Sequence, residues 1–268
     1  MLDAVGIGEM SDLFEPVPSE LRLTRSLDVP AALSEVELLD HVSALAGSCR
    51  GARDLVCFAG GGAYDHHVPA AVRALASRAE FATSYTPYQP ELSQGVLQAI
   101  YEFQSLVCEL YGMDAANASL YDGASALVEA VNMAVRITGR TRIVVGETVH
   151  PHHRAVLETF SKGLGLDIVT EPMADGVVPW DGCDATDAAA VIVAYPNFLG
   201  RLEDAAGAVE KAQSKGALAI ACCDPTAMGI LASPGDLGFD IATGEGYALG
   251  NPTSYGGPWV GFFATKID

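Results

Sequence analysis

The sequence predicts an α/β fold with a mostly parallel sheet and helices on both of its faces. Residues 60–268 alternate between short apolar runs and helical patterns, the order expected for strands joined by crossover helices. Half of the 268 residues are hydrophobic, which is enough to fill a full-sized core. The runs expected to form strands, each covered on both faces, are Arg142–Glu147, Ala189–Pro196, Ala217–Asp224, Asp240–Glu245 and Trp259–Thr265.

Helices are predicted in both parts of the chain. In residues 1–59 the clearest is Ser34–Gly47, where Ser34 and Glu37 form the capping box that marks a helix start. Leu38 and Leu45 keep one face apolar, so we expect this helix to pack on something larger. We expect residues 1–59 to form a helical N-terminal arm and residues 60–268 to form the large domain. The helical patterns of the large domain are Pro90–Gly112, Gly123–Gly139, His152–Gly163 and Glu203–Gly216.

Composition argues against several classes of function. The net charge is −19 and lysine occurs only four times, so no basic face for nucleic acid is expected. The chain lacks an apolar run of about 18 residues, so no membrane span is expected. Its first residues are acidic, unlike a secretory signal. The six cysteines show no CxxC pair or regular spacing, which predicts reduced thiols in the cytoplasm.

Two motifs favour ordinary structural interpretations. The glycine-rich stretch Ala59–Pro69 lacks the third glycine of a dinucleotide fingerprint, so we interpret it as a turn. A nicotinamide-dependent dehydrogenase is therefore a distant alternative. The histidine pair at residues 66–67 and the trio at 150, 152 and 153 invite a metal site. No cysteine or acidic cluster at ligand spacing accompanies them, and no metal is predicted.

Three features could form a ligand site at the carboxyl edge of the sheet. Gly123, Ala124 and Ser125 begin a helix, where backbone amides can bind an anion; an ordinary helix cap is the alternative. His150 follows a strand and could stack on a planar ligand, or it could lie in a solvated loop. Asp224 ends a strand and could pair with a pyridinium nitrogen, as pyridoxal phosphate chemistry requires, or cap the next turn. Their order is more specific than any one of them.

Several motifs give the chain a family resemblance. YTPYQPE and YDGASA lie within Glu80–Ala130, and LGNPTSYGGPWVGFFA precedes the C-terminus. With them the sequence resembles the glycine dehydrogenase (decarboxylating) family, the P protein of the glycine cleavage system, and in particular subunit 1 of P proteins that are split into two chains. The resemblance implies a pyridoxal-phosphate fold of type I and assembly with subunit 2. It also implies a reaction in which glycine loses CO2 and its aminomethyl group passes to the lipoyl arm of H protein.

The resemblance also implies which chain holds the cofactor. In this family the lysine that binds pyridoxal phosphate covalently belongs to subunit 2. The matching window here, Gly244–Gly257, contains no lysine. Lys211 and Lys215 lie on a polar helix pattern and Lys266 follows the last predicted strand, so none is a convincing substitute. We expect the cofactor on the partner, with Gly123, Ala124, Ser125, His150 and Asp224 as a vestigial cofactor site.

A chain without the lysine could still shape the partner's active site. We expect Tyr85, Thr86, Tyr88 and Gln89 to face the partner's cofactor, because they are aromatic or hydrogen-bonding residues on a proline-stiffened loop. A loop that only buttresses the dimer is the alternative. The same reasoning adds three weaker candidates, which are His66, Asn251 and Tyr255.

Two other readings of the whole chain compete with this one. An autonomous pyridoxal-phosphate enzyme would need a lysine after Asp224, which the sequence does not have. A purely structural partner of subunit 2 would touch no substrate. Subunit 1 chains of the family continue into a C-terminal small domain, so we expect these 268 residues to be part of a longer subunit. Lipoyl carriers tend to be acidic as well, so like charges oppose docking of H protein on this chain unless subunit 2 supplies a basic surface.

Overall fold

The computed structural model describes residues 1–51, 54–81, 84–257 and 259–267. Internal contacts divide the chain into two units, Met1–Cys57 and Phe58–Asp268. The division falls near the boundary expected between residues 59 and 60. The interpretation of the two units as an arm and a large domain stays a prediction.

The first unit contains two α-helices, α1 (Leu2–Val5) and α2 (Glu35–Gly47), in the part that the structure describes. The predicted capping box of α2 is confirmed, because the Glu37 carboxylate accepts from the Ser34 amide at 2.9 Å and Ser34 Oγ accepts from the Glu37 amide. The predicted apolar face is uncovered within this chain, since Leu38 and Leu45 are both exposed.

The second unit is a seven-stranded sheet with helices on both faces, as predicted. Its strands run in the order β1-β7-β6-β5-β4-β2-β3. The strands are β1 (Ala115–Ala116), β2 (Arg142–Gly146), β3 (Asp167–Glu171), β4 (Ala188–Tyr195), β5 (Leu218–Cys223), β6 (Ile241–Glu245) and β7 (Gly261–Thr265). The helices are α3 (Ala70–Ala76), α4 (Gln94–Tyr111), α5 (Gly123–Thr138), α6 (Pro151–Leu164) and α7 (Ala205–Ser214).

The centre of the sheet is parallel. Strands β2 to β6 pair in parallel, whereas β7 is antiparallel to both β6 and β1. All five predicted strands are present, with bounds that differ from the predictions by at most two residues. In register, Tyr195 of β4 lies beside Cys223 of β5, and Cys223 lies beside Gly244 of β6. Three strands therefore end level with one another at one edge.

Two apolar clusters sandwich the sheet. Val144 and Trp180 belong to the cluster that includes residues of α4 and α7. Ile143 and Leu127 belong to the cluster on the opposite face, which includes residues of α5 and α6. Neighbouring residues of one strand thus enter opposite clusters, as the alternation of side chains along a strand requires. This packing fixes the N-termini of α5 and α6 at the carboxyl edge of the sheet.

Candidate functional site

A cavity of about 380 Å³ lies at the carboxyl ends of β4, β5 and β6. Open α/β sheets bind their ligands at this edge. Of the predicted site residues, His66, Gly123, His150 and Asp224 line the cavity, so the structure brings these four together. Sequence reasoning did not predict the contributions of five other lining residues, namely Tyr64, His153, Asn197, Glu245 and Tyr247.

The N-terminus of α5 is satisfied by two carboxylates of the chain itself. Glu245 Oε2 accepts a hydrogen bond from the Gly123 amide at 2.9 Å. Asp122 is the N-cap, and its Oδ1 accepts from both the amide and the hydroxyl of Ser125 at 2.7 Å. Ala124 is buried in the same first turn. The cap alternative considered for this segment is therefore what the structure shows, with Asp122 rather than Ser125 as the cap.

Glu245 is held from two sides. Its Oε1 accepts from the Val260 amide at 3.1 Å while Oε2 binds the Gly123 amide. Burial raises the pKa of this carboxyl above its usual value, and the two amide hydrogen bonds oppose that shift. The last residue of β6 thus joins the start of α5 to the loop before β7.

Asp224 caps the turn that follows β5. Its Oδ1 accepts from the amide of Thr226 at 2.8 Å and from the hydroxyl of Thr226 at 2.6 Å. The turn-cap alternative is thus the observed arrangement. The neighbouring cysteines of β5 face opposite sides, since Cys223 belongs to one apolar cluster and Cys222 packs against the other. Burial raises the pKa of the Cys222 thiol to about 12, so it fills space as a neutral group.

His150 is fixed by hydrogen bonds at both ring nitrogens. Nδ1 accepts from the His152 amide at 3.0 Å, and Nε2 lies 3.0 Å from the carbonyl oxygen of Gly61. Nε2 therefore carries the proton and donates it to Gly61. The ring stacks on His153 with centroids 4.8 Å apart and tilts against Phe198 at 4.6 Å. The predicted stacking role toward a ligand stays a prediction.

His153 is neutral at pH 7. Burial, with a smaller contribution from His150, lowers its pKa from 6.5 to about 4. Burial also lowers the pKa of His150. The buried His153 ring therefore adds no positive charge to the cavity wall near neutrality.

A cluster of aromatic side chains lies at another part of the cavity rim. Tyr247 Oη accepts from the Tyr64 amide at 2.7 Å, and its ring stacks on Trp259 with centroids 4.4 Å apart. The His66 ring meets Tyr247 edge-on at 5.5 Å. Tyr247 thus attaches the glycine-rich segment near residue 60 to the end of β6.

The cavity does not fit a covalently held pyridoxal phosphate. Among the residues that the structure describes, no lysine or arginine lines it. Lys266 Nζ donates to the Gly112 carbonyl and Lys211 Nζ donates to the Asp181 carbonyl, both outside the cavity. The helix start where a phosphate would bind is engaged by Glu245 and Asp122. The described lining therefore lacks the amine that this cofactor uses, and the Gly123 and Ser125 amides already have carboxylate acceptors.

The YTPYQPE loop lies apart from this cavity. Tyr85 and Tyr88 are exposed, and Thr86, Tyr88 and Gln89 line a shallow groove together with Ser84. The Tyr88 amide donates to the Thr86 carbonyl at 2.9 Å, which gives the loop a tight turn. Whether these residues reach a partner's active site stays a prediction.

The two remaining candidates also lie outside the cavity. The Asn251 amide donates to the Tyr247 carbonyl at 2.8 Å, and its side chain borders a separate pocket beside α4. Tyr255 is exposed and has a positive φ of 57°. Neither of them joins the group around Asp224.

Within the described residues, no group of three or more His, Cys, Asp or Glu side chains is arranged to hold a metal ion. No described helix is both long and apolar enough to cross a bilayer. All six cysteines are free thiols.

The parallel sheet, its helices and its carboxyl-edge cavity have the architecture of pyridoxal-phosphate proteins of fold type I. A crystal structure of glycine decarboxylase (P-protein) of the glycine cleavage system, in inhibitor-bound form, superposes with a TM-score of 0.90 at 46% identity, covering 100% of this chain and 60% of that one. A sphingosine-1-phosphate lyase from Burkholderia pseudomallei superposes with a TM-score of 0.65 at 16% identity, covering 94% of this chain and 63% of that one, which shows the fold alone.

Sequence comparison identifies the family. Residues 1–268 match the glycine cleavage system P-protein family, and the chain belongs to it. A probable glycine dehydrogenase (decarboxylating) subunit 1 from Desulforamulus reducens is 51% identical over 99% of this chain and 60% of its own length. The corresponding protein of Chlorobium phaeobacteroides is 49% identical over 100% of this chain and 61% of its own length. The chain thus spans about 60% of the length of these curated relatives.

Proposed function

We propose that this chain is part of subunit 1 of a two-chain P protein, which decarboxylates glycine and passes the aminomethyl group to the lipoyl arm of H protein. The names of the relatives and the match over the whole chain support this proposal. The observation that carries this proposal is the set of side chains around the cavity, which includes carboxylates but no lysine or arginine among the described residues. Such a cavity has no amine with which to hold the cofactor.

We infer that pyridoxal phosphate is bound on glycine dehydrogenase subunit 2. That cofactor supplies the electron sink for decarboxylation, and the protein that holds it covalently needs a lysine. In this chain the window Gly244–Gly257 has none. The contribution of this chain is then to bind subunit 2 and to complete its active site.

The YTPYQPE loop is the part proposed to complete that site. Tyr85 and Tyr88 are exposed on a loop stiffened by two prolines, and they contribute nothing to the apolar clusters of this chain. Exposed aromatic side chains with a polar tip are typical of residues that are buried at an interface. Tyr85, Thr86, Tyr88 and Gln89 would position substrate against the partner's cofactor.

The alternative is a purely structural subunit that stabilises subunit 2 without touching substrate. The exposed tyrosines also fit that role, because an interface loop can bury them away from the active site. The two proposals differ in what a hydroxyl group does. A tyrosine that only packs at the interface needs its aromatic ring. A tyrosine that positions substrate also needs the hydrogen bond of its hydroxyl group.

A Tyr88→Phe substitution in the reconstituted complex tests this difference. Subunit 1, subunit 2 and lipoylated H protein are mixed, and glycine-dependent CO2 release is measured together with complex assembly by sedimentation. We expect roughly a tenfold loss of activity with unchanged assembly, because a hydrogen bond to a reacting ligand is lost. Tyr101→Phe, which alters another exposed tyrosine on α4, is the matched control and should keep full activity.

Unchanged activity of Tyr88→Phe would remove the role of its hydroxyl. If Tyr85→Phe and Gln89→Ala were also fully active in assembled complexes, the structural alternative would be preferred. A failure of subunit 1 and subunit 2 to assemble at all would contradict the proposed function itself.

The proposed setting is the cytoplasm, and the free cysteines support a reducing compartment. This chain carries a net charge of −19 and lipoyl carriers tend to be acidic, so like charges oppose docking of H protein on this chain unless subunit 2 supplies a basic surface.

A further inference from the structure

The first turn of α5 is the place where this fold offers backbone amides to an anionic ligand. Helix N-termini bind phosphate because their first amides lack intrahelical partners and because the helix dipole is positive there. In this chain the Gly123 amide donates to Glu245 and the Ser125 amide donates to Asp122. A ligand phosphate would have to displace an anion that the protein already supplies.

We propose that Glu245 is a built-in anion that occupies a latent phosphate site at the start of α5 and closes the cavity to phosphate-bearing ligands. The inference concerns this chain alone and does not depend on the proposed function.

The carboxylate is held firmly in this position. Its second oxygen accepts from the Val260 amide at 3.1 Å, so rotation away from Gly123 would break two hydrogen bonds. The backbones also approach closely, since a Cβ atom on Gly123 would lie 3.2 Å from the Glu245 nitrogen and from the Gly244 carbonyl carbon. The end of β6 is therefore packed directly on the first residue of α5.

The negative charge of nearby carboxylates adds to the exclusion of phosphate from the cavity. Asp122 places a second carboxylate at the same helix start, and Asp224 lines the cavity at the end of the neighbouring strand. No lysine or arginine from the described residues lines the cavity to offset them. A phosphate group near neutral pH carries between one and two negative charges, and these carboxylates would repel it at short range.

Binding of inorganic phosphate to the 268-residue chain tests the proposal. Affinity is measured by isothermal titration, with ³¹P line broadening as a second readout, for the wild type and for Glu245→Ala. We expect the dissociation constant of phosphate to fall at least tenfold in Glu245→Ala, because the Gly123 amide becomes free and one charge is removed. Pyridoxal 5′-phosphate should gain affinity in the same variant, whereas pyridoxal, which lacks the phosphate, should not.

Glu147→Ala is the matched control. Glu147 also follows a strand at the carboxyl edge and accepts a backbone hydrogen bond, from Met173 at 2.9 Å, but it does not line the cavity. Its removal changes net charge equally and should leave phosphate affinity unchanged. Circular dichroism verifies that each variant is folded.

Glu245→Gln is the second variant, and it replaces Glu245→Ala in the phosphate titration if Glu245→Ala does not fold. The amide retains an acceptor for Gly123 but loses the negative charge, so a gain of about threefold is expected. The proposal is overturned if the wild type binds phosphate as tightly as the variants, if folded Glu245 variants gain nothing, or if Glu147→Ala gains as much as they do.

Discussion

Tyrosines at the cavity rim and tyrosines of the YTPYQPE loop lie in opposite surroundings. Tyr247 is 5% exposed, its hydroxyl accepts from the Tyr64 amide, and its ring stacks on Trp259. Tyr85 and Tyr88 are 106% and 87% exposed, and their hydroxyls have no hydrogen-bond partner among the residues that the structure describes. The same residue type is thus fixed by its own chain in one region and presented to solvent in the other.

The two regions differ in whether their polar side chains form hydrogen bonds within this chain. At or beside the cavity, the carboxylates of Glu245, Asp122 and Asp224 each accept a hydrogen bond from a backbone amide of this chain. In the loop, the aromatic side chains bury little surface, so they contribute little to folding and are available to another molecule. We therefore expect substitutions at the cavity to alter stability and substitutions in the loop to alter assembly or activity.

The largest loss of stability is expected at Glu203, in the wall behind the cavity. This carboxylate is 6% exposed and accepts from the Thr148 hydroxyl at 2.7 Å, the Asn197 amide group at 2.8 Å and the Val178 backbone amide at 2.8 Å. Glu203→Ala leaves three buried donors without an acceptor, so the free energy of unfolding should fall by about 3 kcal/mol. Urea denaturation of the isolated chain measures the change.

Glu210→Ala is the control for that substitution. Glu210 is exposed on the neighbouring helix α7, and its removal should change the unfolding free energy by less than about 0.5 kcal/mol. Equal effects of the two substitutions would contradict the role given to the buried network.

A pH-dependent loss of about 2 kcal/mol is expected from His153. Its folded pKa is about 4 and its usual value is 6.5, so between these values the unfolded state binds the additional proton. Stability from this group is complete above pH 6.5 and falls as the pH is lowered toward 4. Between pH 7 and pH 5 the free energy of unfolding should drop by about 2 kcal/mol on this account.

Removing the titrating ring should remove that part of the pH dependence. His153→Gln is compared with His152→Gln, which alters an exposed histidine in the same turn of α6. Unfolding by urea at pH 7 and pH 5 should show a smaller drop in His153→Gln only. A drop that persists in this variant would assign the pH dependence to other groups.

Tyr111 carries one of the buried polar atoms that lack a hydrogen-bond partner among the described residues, and its substitution predicts a smaller effect of opposite sign. Its side chain is fully buried, its hydroxyl has no partner among the described residues, and a Cβ atom on Gly244 would lie 2.1 Å from that oxygen. Tyr111→Phe removes a buried polar group and keeps the ring, so the unfolding free energy should rise by about 1 kcal/mol. Destabilisation by Tyr111→Phe, measured by the same denaturation, would show that the hydroxyl is satisfied in solution.

A strand could be predicted from the sequence where its buried residues form a continuous apolar run. Residues 188–195 are all buried, and the predicted strand there differs from β4 by one residue at each end. Strand β3 was missed because it is an edge strand in which Asp167, Thr170 and Glu171 interrupt the apolar run. Strand β1 has two residues and was also missed, because so short a segment carries no period.

The cavity was predictable only in part. His150 and Asp224 follow parallel strands, and such strands bring their carboxyl ends to one edge whatever their order. The contact of Glu245 with Gly123 depends on which strand lies beneath the start of α5, and local sequence does not encode the order of strands in a sheet. Asp122, directly before Gly-Ala-Ser, is an N-cap signal that can be read in the sequence, although the cap alternative above did not name it.

The smallest effect on folding is expected in the loop. Tyr85→Ser and Tyr88→Phe should each change the unfolding free energy of the isolated chain by less than about 0.5 kcal/mol, because exposed side chains bury almost no surface that could be lost. Tyr247→Phe is the matched comparison within the rim, and it should cost about 1 kcal/mol because the Tyr64 amide loses its acceptor. Urea denaturation ranks the three variants. If a loop variant destabilised the chain as much as Tyr247→Phe, the loop would be packed on its own chain, and its tyrosines would no longer be free to serve a partner's active site.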